Sequence, residues 1–277
     1  METIKNKKSD LITEIVMIVL ALIFLAPFYF LAVNSVKSFG EILSDAASWP
    51  EKFMWSNFSR TWELARFSEA FVNSLIITIS SVLLIALFSA MAAYRMVRSD
   101  TKFNRWLFLA FVAAMVVPFQ TIMIPVLRVV NTLGVNNSMV GLLMTNLGLS
   151  LPMAIFLFHG FIKSVPLEIE EAATVDGCNP FSVFFKIVLP LLKPMLMTII
   201  VLNALGIWND YLLPSLILQK PELRTIPLAT FSFFGQYTKQ WDLALPALVF
   251  GITPIIVFYL LMQRYIVEGI AAGSVKG

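Results

Sequence analysis

Few residues in this sequence could carry covalent chemistry. Histidine and cysteine occur once each among its 277 residues, as His159 and Cys178. Without an orienting carboxylate they do not make a credible nucleophile and base. A lone histidine with no second His or Cys nearby in sequence is a poor metal ligand, and its expected role is that of a hydrogen-bonded residue at a helix end. A single cysteine also excludes a disulfide within the chain. No Gly-x-x-x-x-Gly-Lys-Ser/Thr run is present to cradle phosphates, and no His-Glu-x-x-His pair to hold a metal. The chain is expected not to be an enzyme: it should have no catalytic residue, no metal and no cofactor of its own.

The remaining chemistry is that of binding, and it concentrates in one polar interval of a strongly apolar sequence. The interval runs from Glu171-Ala-Ala-Thr-Val-Asp-Gly177 through Cys178-Asn-Pro-Phe to Leu189-Pro190. Pro166 suits the first turn of a short helix, where its missing N–H would be unpaired anyway, and Glu168 and Glu170 face the positive end of the helix dipole. Gly177 suits the left-handed residue that closes a helix. Asn179-Pro180 is a cap followed by a first-turn proline. The interval therefore predicts helix, tight bend, helix. Ala172 and Ala173 leave a face that a partner could approach closely.

This pattern, Glu-Ala-Ala, two residues, Asp-Gly, then a Phe-containing apolar run to Leu-Pro, resembles the coupling motif of bacterial ATP-driven import permeases. More narrowly, it is similar to the carbohydrate-uptake branch, of the type of the smaller maltose-type permease subunit. Residue by residue, Glu171, Ala172, Ala173, Asp176, Gly177 and Pro190 match, and Cys178 stands where the family usually has Ala. The resemblance implies that the short helix sits in a cleft of a cytoplasmic ATPase and transmits its closing and opening to the membrane helices. It also implies a second permease subunit, two ATP-binding subunits that hold the ATP and magnesium, and an extracytoplasmic sugar-binding protein. The tail from Gln263 to Gly277 also resembles this branch, which implies an ATPase contact at Gln263, Arg264 and Tyr265. The stretches Asn34-Ser-Val-Lys37, Trp49-Pro50 and Asn57-Phe58 resemble the start of the same permeases.

The elements that must position these residues are membrane helices. The chain is 58% hydrophobic and 13% charged, against a usual charged share of roughly 25%. Composition predicts an all-α integral membrane protein, here of six spans, and the resemblance implies a cytoplasmic coupling helix and the type I importer permease fold. The boundaries are a tail at 1–10, a transmembrane domain at 11–263 with a coupling loop at 163–190, and a tail at 264–277. Spans are expected at about 11–36, 70–94, 106–127, 138–162, 191–218 and 244–262, each near the 20 residues that a crossing needs. The first apolar run is too long for the core of a cleaved signal peptide. Pro27 is expected to kink it, and Pro118 and Pro125 to unwind the third span.

Polar residues within the spans are candidates for lining a pathway. Gln120, Asn146, Asn203, Asn209 and Asp210 are singled out, although amides and hydroxyls in spans more often join helices to one another. An aspartate near the membrane is a functional flag, and Asp210 could either shape an outer gate or cap its helix. Trp49, Trp55 and Trp62 could anchor the surface of the membrane or form a docking face.

Orientation follows from lysine and arginine. With the N-terminus inside, twelve fall on the cytoplasmic side and eight outside, with Arg95, Arg98, Lys102 and Arg105 crowded into one short loop. Both termini and the coupling loop are then cytoplasmic in a bacterial cytoplasmic membrane. Spans nearly free of ionisable groups argue against a gradient-driven carrier, and they suit a neutral sugar; the resemblance implies a di- or oligosaccharide. A permease of the same superfamily for a polyol phosphodiester or an amino acid is the alternative. Lipid is the remaining expected partner, and nucleic acid is not expected.

Overall fold

The computed structural model describes the backbone of residues 7–235 and 239–274, and the side chains of residues 11–235 and 239–263. Regular structure among them is helical, apart from an isolated antiparallel bridge between Phe234 and Lys239. The first helices are α1 (Lys7–Asn34), α2 (Phe39–Ser44), α3 (Ser56–Leu64) and α4 (Phe67–Arg98). They are followed by α5 (Lys102–Met115), α6 (Phe119–Thr132), α7 (Met139–Ile162) and α8 (Leu167–Val175). A π-helical turn, Val183–Val188, separates the short α9 (Pro180–Ser182) and α10 (Leu189–Leu191). The chain then forms α11 (Lys193–Asn209), α12 (Leu212–Ile217), α13 (Ile226–Phe231) and α14 (Trp241–Ser274).

Four stretches are each long and apolar enough to cross a bilayer: Leu11–Asn34, Phe67–Arg98, Met139–Ile162 and Trp241–Gln263. Two further pairs pass together but are bent, α5 with α6 by 112° and Pro180–Leu191 with α11 by 75°. Counted as one span each, they bring the total to six.

The bends refine the expected boundaries. The third span is not one helix over 106–127. It breaks at Pro118, which holds an extended ψ of 137° as the cap of α6, while Pro125 rides inside α6. Pro27 likewise stays within α1. The fifth span is shifted from 191–218, because it pairs Pro180–Leu191 with α11, stops at Asn209, and Asp210 turns extended before α12. Its lower bend falls at Leu192, between Pro190 and Pro194. Neither proline has an N–H for the helical ladder.

The chain divides into two compact units, Met1–Phe67 with Thr230–Thr253, and Ser68–Ala229 with Pro254–Gly277. In the first, none of the apolar window of α1 is buried, so its side chains need lipid or protein to cover them. The segment after α1 folds back tightly. Lys37 is fully buried, and its Nζ donates to Asp45 O at 2.9 Å and Ser48 Oγ at 3.4 Å. Asn34 Nδ2 donates to Ala46 O, and Asn57 Nδ2 donates to Ser35 O and Lys37 O. The aromatics of this segment form a chain. Phe53 stacks on Trp55 at 5.9 Å and meets Trp49 edge-on at 6.1 Å, with both tryptophans exposed. Phe250 of α14 receives Phe58, Trp62 and Phe67.

The second unit holds the main core. On α4 the buried residues Val82, Ile85, Ala86, Ser89, Ala90, Ala93 and Met96 recur at helical spacing. Most are small, which lets neighbouring backbones come close. Ile85, Ala90, Ala93 and Met96 share one core with Phe158 and Ile162 of α7, Val188 and Leu192 of the bent segment, and Ile199 of α11. Gly141 opens α7 where a Cβ would lie 2.2 Å from Val135 O, so only glycine fits. His159 is packed by its ring face. In the last turn of α7, as expected of a helix-end residue, it stacks on Phe108 of α5, centroids 3.8 Å apart and planes within 17°.

Candidate functional site

The polar interval folds as helix, bend, helix. Helix α8 closes with a Schellman motif, in which Cys178 N–H donates to Ala173 O and Gly177 N–H to Thr174 O, each at 3.0 Å. Gly177 supplies the left-handed residue at φ +87°, and a Cβ there would meet nothing within 4 Å of the chain. Asn179 Oδ1 then accepts from Ser182 N–H at 2.8 Å, with Pro180 in the first turn. Beyond it the ladder slips to π spacing. Leu189 N–H reaches Phe184 O five residues back, just before Pro190, which has no N–H to offer.

This geometry sorts the motif residues into two faces. Glu171, Ala172, Thr174, Asp176 and Gly177 are exposed, as is Pro190, while Ala173 is buried in the core. Leu167, Ile169, Val175 and Phe181 are exposed apolar side chains on the same elbow, Val175 at 88%. A polar loop that leaves this much apolar surface uncovered presents a surface suited to a protein partner.

The buried face carries a charge that the sequence reading did not assign to a partner. Glu170 is 5% exposed. Its Oε1 accepts from Arg98 Nε at 2.9 Å and Nη2 at 2.7 Å, and its Oε2 accepts from Tyr94 Oη at 2.8 Å. Arg98 Nη2 also donates to Val165 O at 2.9 Å. Tyr94 and Arg98 lie on the last turns of α4, so α8 is tied to a helix that is not its sequence neighbour. Sequence alone placed Glu170 at a helix dipole and Arg98 among the orienting cations. The pairing spans 72 and 76 positions, beyond the reach of any local pattern. The other cation that finds a partner in that loop is Arg105, whose guanidinium grips exposed Asp100 and holds its carboxyl below the usual range.

Of the amides singled out within the spans, Asn146, Asn203 and Asn209 each bond a different group. Asn146 is buried, with Nδ2 donating to Ser81 Oγ at 3.4 Å. Asn203 and Asn209 donate to the carbonyls of Ile199 and Leu205 one turn back. Gln120 is exposed in the first turn of α6. Asp210 is half-buried at the α11–α12 break, where its Oδ1 accepts from Leu213 N–H at 3.3 Å. It therefore caps α12. Gln263 Nε2 donates to Leu260 O; the side chains of Arg264 and Tyr265 lie outside the described residues. Among the described residues no cluster of three or more His, Cys, Asp or Glu could hold a metal.

The chain is similar in sequence to transport proteins along its whole length. It is 42% identical to the "Probable starch degradation products transport system permease protein AmyC" of Thermoanaerobacterium thermosulfurigenes, over 94% of each chain. It is 35% identical to the melibiose/raffinose/stachyose import permease protein MelC of Bacillus subtilis, over the full length of both. Among solved structures it matches a chain of a bacterial ABC transporter involved in the import of the acidic polysaccharide alginate. That match has a TM-score of 0.82 at 20% identity, and it covers 96% of this chain and 99% of the other. Its helices thus follow the permease fold of an ABC importer. A family model covers residues 83–271, which include the elbow, the π turn and the bent spans. By that match and these identities, the chain belongs to the family of binding-protein-dependent transport system inner membrane components.

Proposed function

We propose that this chain is one of two permease subunits of an ATP-driven importer for a di- or oligosaccharide. The observation that carries the proposal is the elbow. An exposed face of Glu171, Ala172, Asp176 and Gly177 with uncovered Leu167 and Val175 projects from a helix that is itself anchored to a span. Such a face suits a cleft in a cytoplasmic ATPase, and the relatives named for starch degradation products and for melibiose, raffinose and stachyose supply the substrate class. In this reading the elbow and both termini lie in the cytoplasm of a bacterium. A second permease completes the pathway, two ATPases bind ATP and magnesium, and an extracytoplasmic protein delivers the sugar. The chain itself performs no covalent chemistry.

Transport then proceeds by alternating access, driven by partners that bind one conformation better than the other. Closure of the ATPase pair carries the elbow with it and opens the spans outward. Hydrolysis returns them inward. Spans whose polar groups are amides and hydroxyls fit a neutral, hydroxyl-rich cargo.

Gly177→Asp tests the reading. The left-handed φ of +87° disfavours a side chain, and the added carboxylate would project from the exposed face. Uptake and sugar-stimulated ATP hydrolysis should both fall by about tenfold or more, while the chain still inserts into the membrane. Normal uptake by this variant would refute the assignment of the elbow.

A further inference from the structure

We infer that the Glu170–Arg98–Tyr94 cluster is the positioning device that carries movement of α8 into α4. The inference rests on the proposed role of the elbow and adds residues outside the matching motif. Its basis is how α8 is connected to the rest of the chain. Along the backbone, both exits from α8 pass through joints. Upstream, residues 163–166 form a turn, with Ser164 N–H and Val165 N–H donating to Phe161 O and Ile162 O. Downstream lie the left-handed Gly177, the π-helical turn and a 75° bend before α11. Joints of this kind absorb rotation and pass on little of it.

The side-chain connection is of a different kind. Glu170 is gripped at both oxygens, Arg98 approaches it through two nitrogens, and Arg98 reaches on to Val165 O. Two guanidinium N–H groups converging on Oε1, with the Tyr94 hydroxyl on Oε2, fix direction as well as distance. The carboxylate is buried, so breaking the pair without replacing it leaves a charge away from water, and the two helices are held to one relative placement. One residue on, Glu171 faces outward. Adjacent carboxylates therefore divide the work: Glu171 meets the partner, and Glu170 carries the displacement inward to a span that the backbone reaches only through α5, α6 and α7. Coupling between sites travels through such packed, doubly held contacts.

The test uses the complete complex, permease pair with ATPases and binding protein, in proteoliposomes with a transported sugar. Uptake and ATP hydrolysis are read together, and their ratio is the observable. Glu170→Gln should lower the sugar moved per ATP by about tenfold, with hydrolysis itself persisting. Arg98→Lys keeps the charge and loses the fork, and should lower the ratio by a smaller factor. Tyr94→Phe should lower it least. The exchanged pair Glu170→Arg with Arg98→Glu should recover part of the ratio. A purely structural role predicts that uptake and hydrolysis fall together, so an unchanged ratio in Glu170→Gln and Arg98→Lys would overturn the inference. Should Glu170→Gln fail to assemble, Arg98→Lys and Tyr94→Phe decide by the same ratio. Failure of the underlying reading looks different, because the unmodified complex would then move sugar without ATP.

Discussion

Among the described residues, Lys37 and Glu170 are the buried lysine and glutamate, and they are satisfied in opposite ways. Lys37, fully buried in the first unit, donates to Asp45 O and Ser48 Oγ, both within eleven positions of it. Glu170, in the second unit, is met by an arginine and a tyrosine more than seventy positions away. The lysine uses neutral acceptors from one short segment and stitches that segment closed. The glutamate uses a counter-charge from a distant helix and ties two elements together. A buried polar group can therefore stabilise a loop or connect parts of a fold, and its partners tell which.

This contrast can be broken at either end. The largest effect is expected from Arg98→Ala, which strands the Glu170 carboxylate. Removing one partner of a buried ion pair typically costs about 3–5 kcal/mol, so thermal unfolding of the purified chain in detergent should shift downward clearly. A shift no larger than that of an exposed-site variant would show that the pair is not held as described. Next comes Lys37→Glu, which sets a carboxylate against the Asp45 and Ser48 oxygens. Hydrogen bonds to charged groups contribute about 1.5–3 kcal/mol each, and the variant should open residues 38–48 to proteolysis. Lys37→Met should be far milder, since an apolar side chain of similar length buries no charge and leaves Ser48 Oγ still donating to Asp45 O. Equal damage by the two would mean that length, not hydrogen bonding, is what the site requires. The smallest change in stability is expected from Glu171→Gln on the exposed face, within about 0.5 kcal/mol, and its measurement beside Glu170→Gln separates the two neighbouring carboxylates.

How legible each feature was in the sequence followed the distance over which its cause acts. Gly177 at the helix end and Asn179-Pro180 at the next helix start were readable, because a left-handed closing residue and a capping amide act within a few positions. The six apolar segments were readable for the same reason, since length and composition are local. The bends were only half readable. Pro118 and Pro125 have the same chemistry, yet one ends a helix at a 112° turn and the other is carried inside α6. The packing around them decides that, and it is not written in the neighbouring residues. Glu170 was not readable as a paired group, since its partners lie on another helix. Its neighbour Glu171 carries the motif match, while Glu170 is the one of the two that the fold buries.

The π-helical turn at Val183–Val188 has a consequence for how the elbow can move. Its wider spacing places about one residue more in the turn than an α-helix would hold, and each α-helical residue advances about 100° around the axis. The turn is in effect a stored step of register. Were its hydrogen bonds to tighten to α spacing, everything on one side would rotate by about that step against the other, sweeping Phe181 and Val175 across the elbow without stretching the chain. The fold thus keeps a spare register step beside the motif, held by hydrogen bonds of its own backbone.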